Sequence, residues 1–184
     1  MGHIKSYKLF LEEAEFDVQS TDSPDIRTAK EELSKLKKQI VDFNTKKPLI
    51  DNAYLKSSTD ADLQAKVDQI VGKAGTDRNP FLVDYLHVAN LKRKVDKTQK
   101  DITTDKLKKD DFTQELSLSK ESSIKQAVGA KITDITNRIS TKTAEIASLS
   151  KEISDAESSL KKKMIDIEKN MMDNIKKIAS NSSK

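Results

Sequence analysis

Residues 131–160 read KITDITNRISTKTAEIASLSKEISDAESSL. Within them Ile132, Ile135, Ile139, Ile146, Leu149, Ile153, Ala156 and Leu160 recur at steps of three and four, with one lapse at Thr143. That rhythm aligns them along one seam of a helix whose other faces carry Lys, Glu, Asp, Ser and Thr, so the seam must be buried against another helix. Beyond Leu160 the pattern resumes as Met164, Ile167, Met171, Ile175 and Ile178, with consecutive steps of four that locally unwind a supercoil.

A second seam lies upstream. Ile26, Ala29, Leu33, Leu36, Ile40 and Phe43 alternate steps of three and four between Pro24 and Lys46. Ser23 before Pro24 and Asn79 before Pro80 each pair a capping side chain with proline at the first helical position, where the missing N–H has no partner to lose. Pro48 is expected to end the first of these helices and open a short connection, with 49–58 irregular or briefly helical. Thr59 caps a short helix carrying Leu63, Val67, Ile70 and Val71, with Gly72 and Gly75 at its end.

The apolar patch from Phe81 to Val88 opens a further helix through Leu91, Val95 and Ile102 and reads as a local core, with His87 partly buried in it. Periodicity weakens over 105–128, and a reversal is expected near Ser117 to Gly129, the alternative being one continuous helix. Arms of 80–116 and 131–178 would then form an antiparallel hairpin, the longer one spanning roughly 72 Å at 1.5 Å per residue. Neither seam shows a buried Asn that would set its register, which leaves pairing within one chain or between copies undecided.

Composition agrees with a thin helical core. The chain has 184 residues, 35% charged and 4% aromatic, with four Gly and three Pro, so Ile, Leu and Val must do the burying and an all-β fold with many tight turns is disfavoured. Without Cys there is neither a disulfide nor a thiolate metal site, and no apolar run approaches the length of a membrane span. The usual catalytic motifs are missing, and the paired aspartates Asp60 with Asp62 and Asp110 with Asp111 lack the ligand number and glycine of a calcium loop. No catalytic, cofactor or metal residue is assigned, and the chain is expected not to be an enzyme.

The formal charge of +4 is concentrated at the C-terminal end, where residues 161–184 hold seven lysines against three acidic residues. Lys161, Lys162, Lys163, Lys176 and Lys177 suit the negative end of a helix dipole, and they also suit weak, nonspecific contact with a phosphate backbone or an acidic surface. With no Arg and no aromatic residue among them, sequence-specific nucleic-acid recognition is not supported. Met1 to Ser6 fits the loose N-myristoylation pattern, but Glu12, Glu13, Glu15 and Asp17 stand where a basic second membrane signal would be needed.

Near the N-terminus, Ile4, Tyr7, Phe10, Leu11 and Ala14 share one face of a short amphipathic helix, followed by the polar stretch Gln19 to Ser23, expected to be a flexible linker. Tyr7, Phe10 and Leu11 would be presented to a groove as docking residues, or the same face packs on the helical bundle. Lys5-Ser6-Tyr7-Lys8-Leu9-Phe10-Leu11-Glu12-Glu13-Ala14 resembles the short leader of internal and scaffold proteins of T4-like tailed bacteriophages. The resemblance covers about ten residues and implies direction into an assembling prohead. It also implies cleavage by the prohead protease, with Leu11 and Glu13 as recognition positions and the cut before Ala14.

These readings combine into an all-α protein, an elongated helical bundle or antiparallel hairpin with coiled-coil segments. Its expected divisions are a docking helix over 1–16, a linker over 17–23, short helices over 24–79 and a long hairpin over 80–180. Ile26, Leu33, Leu36 and Ile40 form one coiled-coil seam, and Ile132, Ile139, Ile146, Ile153 and Leu160 the other. The expected function is structural assembly in a tailed-phage particle. Expected partners are other virion or scaffold proteins and a second copy of the chain, with no membrane contact, and the expected location is the virion, assembled in the host cytoplasm. The alternative is a cytoplasmic adaptor or regulator that offers the Phe81 to Leu91 patch to a protein partner.

Overall fold

Ser23 and Pro24 open the first helix, α1 (Pro24–Lys56), with Ser23 Oγ accepting from the Ile26 N–H at 3.4 Å. The computed structural model describes residues 17–73 and 78–181, and among these the regular elements are all helices. After α1 come α2 (Asp60–Val71), α3 (Pro80–Leu118) and α4 (Ser122–Asn181). The all-α class read from the heptad spacing is the class observed.

Pro48 does not end α1. The helix runs through it to Lys56, replacing the expected connection and making 24–56 one long helix. The heptad rhythm explains this: the seam passes from Phe43 through Lys47 to Ile50 and Ala53, and Phe43, Ile50 and Ala53 are all buried. Pro48 lies on the exposed side, where the carbonyl left without its helical N–H partner can meet water. Tertiary burial of the seam outweighs a local penalty of about 3 kcal/mol for an interior proline.

Thr59 caps α2 as expected, its side chain accepting from the Asp62 N–H at 3.1 Å. Gly72 ends the helix at φ 85°, a region that residues with a Cβ rarely enter. Arg78 ties the following connection, bonding Asp68 Oδ1 at 2.8 Å, the Lys73 carbonyl at 3.1 Å and the Gly72 carbonyl. The expected linker is also held. Lys30 Nζ binds both carboxylate oxygens of Asp22 and donates to the Asp17 carbonyl at 3.0 Å, while the Gln19 N–H bonds Asp22 Oδ2 at 2.7 Å. The Gln19 N–H and the Lys30 ammonium hold the Asp22 carboxyl below the usual carboxylate range.

The chain divides into two compact units. One is formed by the described residues of Met1–Tyr85 and Ser159–Lys184, and the other by Leu86–Ser158. In the first, Leu33 of α1 and Met171 of α4 are fully enclosed, with Leu36, Ile40, Ile167, Ile175 and Ile178 around them. Phe43 meets Phe81 and Tyr85 edge-to-face, ring centroids 6.3 and 5.8 Å apart. Asn79 bonds the Gln39 carbonyl and Asp42 near one end of this contact, and Tyr85 bonds Asp51 further along, so α1 and the start of α3 run in the same direction. Helix α2, packed against α1 through Leu63, Val67 and Val71, provides the return between them.

The second unit is a helical hairpin. Its reversal occupies Ser119 to Glu121, inside the expected interval. Lys131 lies over the Phe112 ring, Arg138 meets Asp105 and Glu157 meets Lys92, a sequence of partners that falls on one helix as it rises on the other, as antiparallel pairing requires. The seam of its first arm is Leu91, Val95, Thr98, Ile102, Asp105, Lys109, Phe112 and Leu116, all buried or half-buried at alternating steps of four and three. Periodicity over 105–128 looked weak because polar residues hold two of these positions.

Candidate functional site

Asp105 is the centre of the most developed polar arrangement in the hairpin. Its side chain is 7% exposed, yet it occupies a heptad position that would ordinarily be apolar. Two cations from α4 meet it: Arg138 Nη2 donates to Oδ1 at 2.6 Å and Lys142 Nζ to Oδ2 at 2.9 Å. The two cations hold the carboxyl below its usual range, with the Lys142 hydrogen bond contributing most, then Arg138, against the opposing effect of burial. A second carboxylate, Asp101, stands 3.9 Å from Lys142.

Lys142 explains the lapse at Thr143. The seam of α4 steps from Ile139 to Lys142 to Ile146, and Thr143 is exposed with its hydroxyl bonded back to the Ile139 carbonyl. What looked like a gap is a charged position matched to Asp105 across the hairpin. Such a layer is worth little as net stability, because desolvation offsets attraction. Sliding one helix by a turn, however, would strand a buried charge, so the layer sets register.

The first unit contains a second polar layer. Asn174, 6% exposed, donates through Nδ2 to Glu32 Oε2 at 2.9 Å beside the Leu33 and Met171 core. The expectation that no buried Asn marks a seam is therefore corrected. Met171, Asn174 and Ile178 continue the alternation of four and three, whereas a search for apolar residues alone passes to Ile175 and reads a stutter. Further along α1 a separate cluster joins Tyr85, Asp51 and Lys47, with Lys47 Nζ 4.8 Å above the Tyr85 ring. Burial and the adjoining Asp51 raise the Tyr85 hydroxyl above its ordinary range.

The predicted site residues separate into three groups. Ile26 and Leu33 are buried and Leu36, Ile40, Ile132, Ile139, Ile146, Ile153 and Leu160 half-buried, so both seams face inward. Met164, by contrast, is 38% exposed and does not belong to the buried stripe. Among the basic residues, Lys161, Lys162, Lys176 and Lys177 are exposed, whereas Lys163 is paired with Asp84 at 2.5 Å and is not simply part of a solvent-facing cationic tail. Tyr7, Phe10, Leu11 and Glu13 lie outside the described residues.

Other findings bear on what the protein can do. The patch offered to a partner in the adaptor reading is consumed by the fold, since Phe81, Leu82, Leu86, Val88 and Leu91 are all buried. His87, expected to be partly buried there, is exposed on the opposite side of the helix. Among the described residues no three His, Asp or Glu side chains gather as a metal site would require, and no helix is long and apolar enough to cross a membrane. In comparisons with protein-family models, curated proteins and solved structures, the chain matches none.

Proposed function

We propose that this chain is a non-enzymatic assembly protein of a tailed-bacteriophage particle, acting through helix seams and through docking of its N-terminal segment. The observation that carries this reading is the leader-like Lys5 to Ala14 sequence at the head of a chain whose buried side chains serve helix pairing. Register-setting layers at Asp105 and Asn174 suit a component that must present a defined helical surface to other virion or scaffold proteins, or to a second copy of itself. The exposed Lys161, Lys162, Lys176 and Lys177 supply a site for weak contact with packaged DNA or an acidic shell surface. The location in this reading is the virion.

The test is the N-terminal sequence and intact mass of the protein recovered from purified particles. A chain starting at Ala14 supports the leader reading and the particle together. A chain starting at Met1 or Gly2, or absence from particles, overturns it.

A further inference from the structure

Helix α1 carries the heptad spacing twice. Its inner seam, with Leu33, Phe43 and Ile50, is buried by the fold. On the solvent side Val41, Thr45, Pro48, Asn52 and Leu55 follow one another at alternating steps of four and three, and all are exposed, Val41 by 51% and Leu55 by 86%. None of the five is charged, in a chain that is 35% charged. Before Val41 the same spacing falls on Glu31, Ser34 and Lys38, so the uncharged stripe starts at Val41 and runs to the end of the helix. Such a stripe is a coiled-coil face without its mate.

The borders of the stripe say what the mate is. Lys37, Asn44 and Asp51 stand along one side and Asp42, Leu49 and Lys56 along the other, each set at steps of seven. When two heptad helices lie parallel and in register, a residue on the first border of one faces the residue five positions further along on the second border of the other. That rule brings Lys37 of one copy to Asp42 of the other, Asn44 to Leu49 and Asp51 to Lys56, and the two-fold axis repeats each pair. An antiparallel pair that matched Asp42 with Lys56 would set Asp51 against its own counterpart, a juxtaposition of like charges. Asn52, inside the stripe, meets its own counterpart in the parallel register and in no slipped one.

We infer that the Val41–Leu55 face of α1 is a parallel, two-fold docking surface for the same face of a second copy of this chain. The stripe is only ~21 Å long, so it covers less than the roughly 800 Å² per partner of a standard stable interface, and the dimer forms as the chain becomes concentrated. Asp42 already holds Lys46 at 2.6 Å and Asp51 holds Lys47 at 2.9 Å, so the border pairs set orientation more than affinity. The contact uses neither buried seam and needs no particle, so its failure would leave the assembly reading standing.

The chain has no Cys, so a full-length protein given a single thiol can form disulfides only between copies. Val41→Cys and Leu55→Cys are compared with Leu107→Cys, whose side chain is 62% exposed on α3. Under mild oxidation at high protein concentration, each of the first two should dimerise at least about tenfold faster than the third, because pairing sets each thiol beside its own counterpart. Equal rates for all three would overturn the inference. So would fast crosslinking confined to an equimolar mixture of Val41→Cys with Leu55→Cys, which would make the pairing antiparallel. In the chain without Cys, Leu55→Lys should abolish the rise of light-scattering mass with concentration and leave the circular dichroism unchanged; a rise that survives the substitution would assign self-association to another face.

Discussion

Lys142 Nζ donates to Asp105 Oδ2 at 2.9 Å, so that a cation and an anion answer each other at seam positions on the two arms of the hairpin. Removing one partner differs physically from removing both. Asp105→Ala leaves Arg138 and Lys142 facing each other without their anion, and the thermal midpoint followed by circular dichroism should fall. Asp105→Leu combined with Lys142→Leu fills the layer with apolar side chains and should restore or exceed the original midpoint. A double variant less stable than Asp105→Ala would show that the layer contributes net stability instead of register.

Acid should weaken the hairpin through the same carboxylate. Arg138 and Lys142 depress the folded-state pKa of Asp105 below its ordinary 3.8. A depressed carboxylate contributes stability that is fully present above the unfolded value and is lost as pH falls through the folded one. Unfolding midpoints should therefore decline as pH drops below about 4, and the decline should be shallower in the double leucine variant. Identical pH profiles for the two proteins would remove Asp105 from the acid response.

Leu33 and Met171 test the other core. Both are fully enclosed, so Leu33→Ala should cost about 2–5 kcal/mol in urea unfolding, from lost transfer energy and the cavity left behind. Leu107→Ala, on a side chain 62% exposed, should change stability by less than about 0.5 kcal/mol. Similar losses at the two sites would contradict the burial pattern.

Pro48→Ala should stabilise α1. The substitution restores a backbone donor and removes the steric conflict of the ring with the preceding turn, gaining up to about 3 kcal/mol by helix propensity. Thermal unfolding measures it, and a fall in midpoint would indicate that the proline is needed where it stands.

Much of the fold was readable because the signals are local. The three capping residues Ser23, Thr59 and Asn79 all act at helix starts, with Asn79 Oδ1 accepting from the Phe81 N–H at 3.1 Å. The hairpin reversal fell within its expected interval because Ser119 to Glu121 interrupts two strongly helical stretches. Local signals failed at Pro48, where propensity argued for a break and seam burial on both sides carried the helix through. They failed again at Asp105, Lys142 and Asn174, because a charged or amide side chain at a seam position looks like solvent-facing surface until its partner is known.

Helical class and the two apolar seams thus follow from the chain alone, since a period near 3.5 residues and the chemistry of caps are properties of neighbouring residues. Pairing follows only from the tertiary structure. It gave Lys163 an anion at Asp84, and set Asp105 against Lys142 and Asn174 against Glu32. Each of those outcomes depends on which helix lies opposite, and residues 37, 79 or 142 positions apart meet only after the chain has folded back on itself.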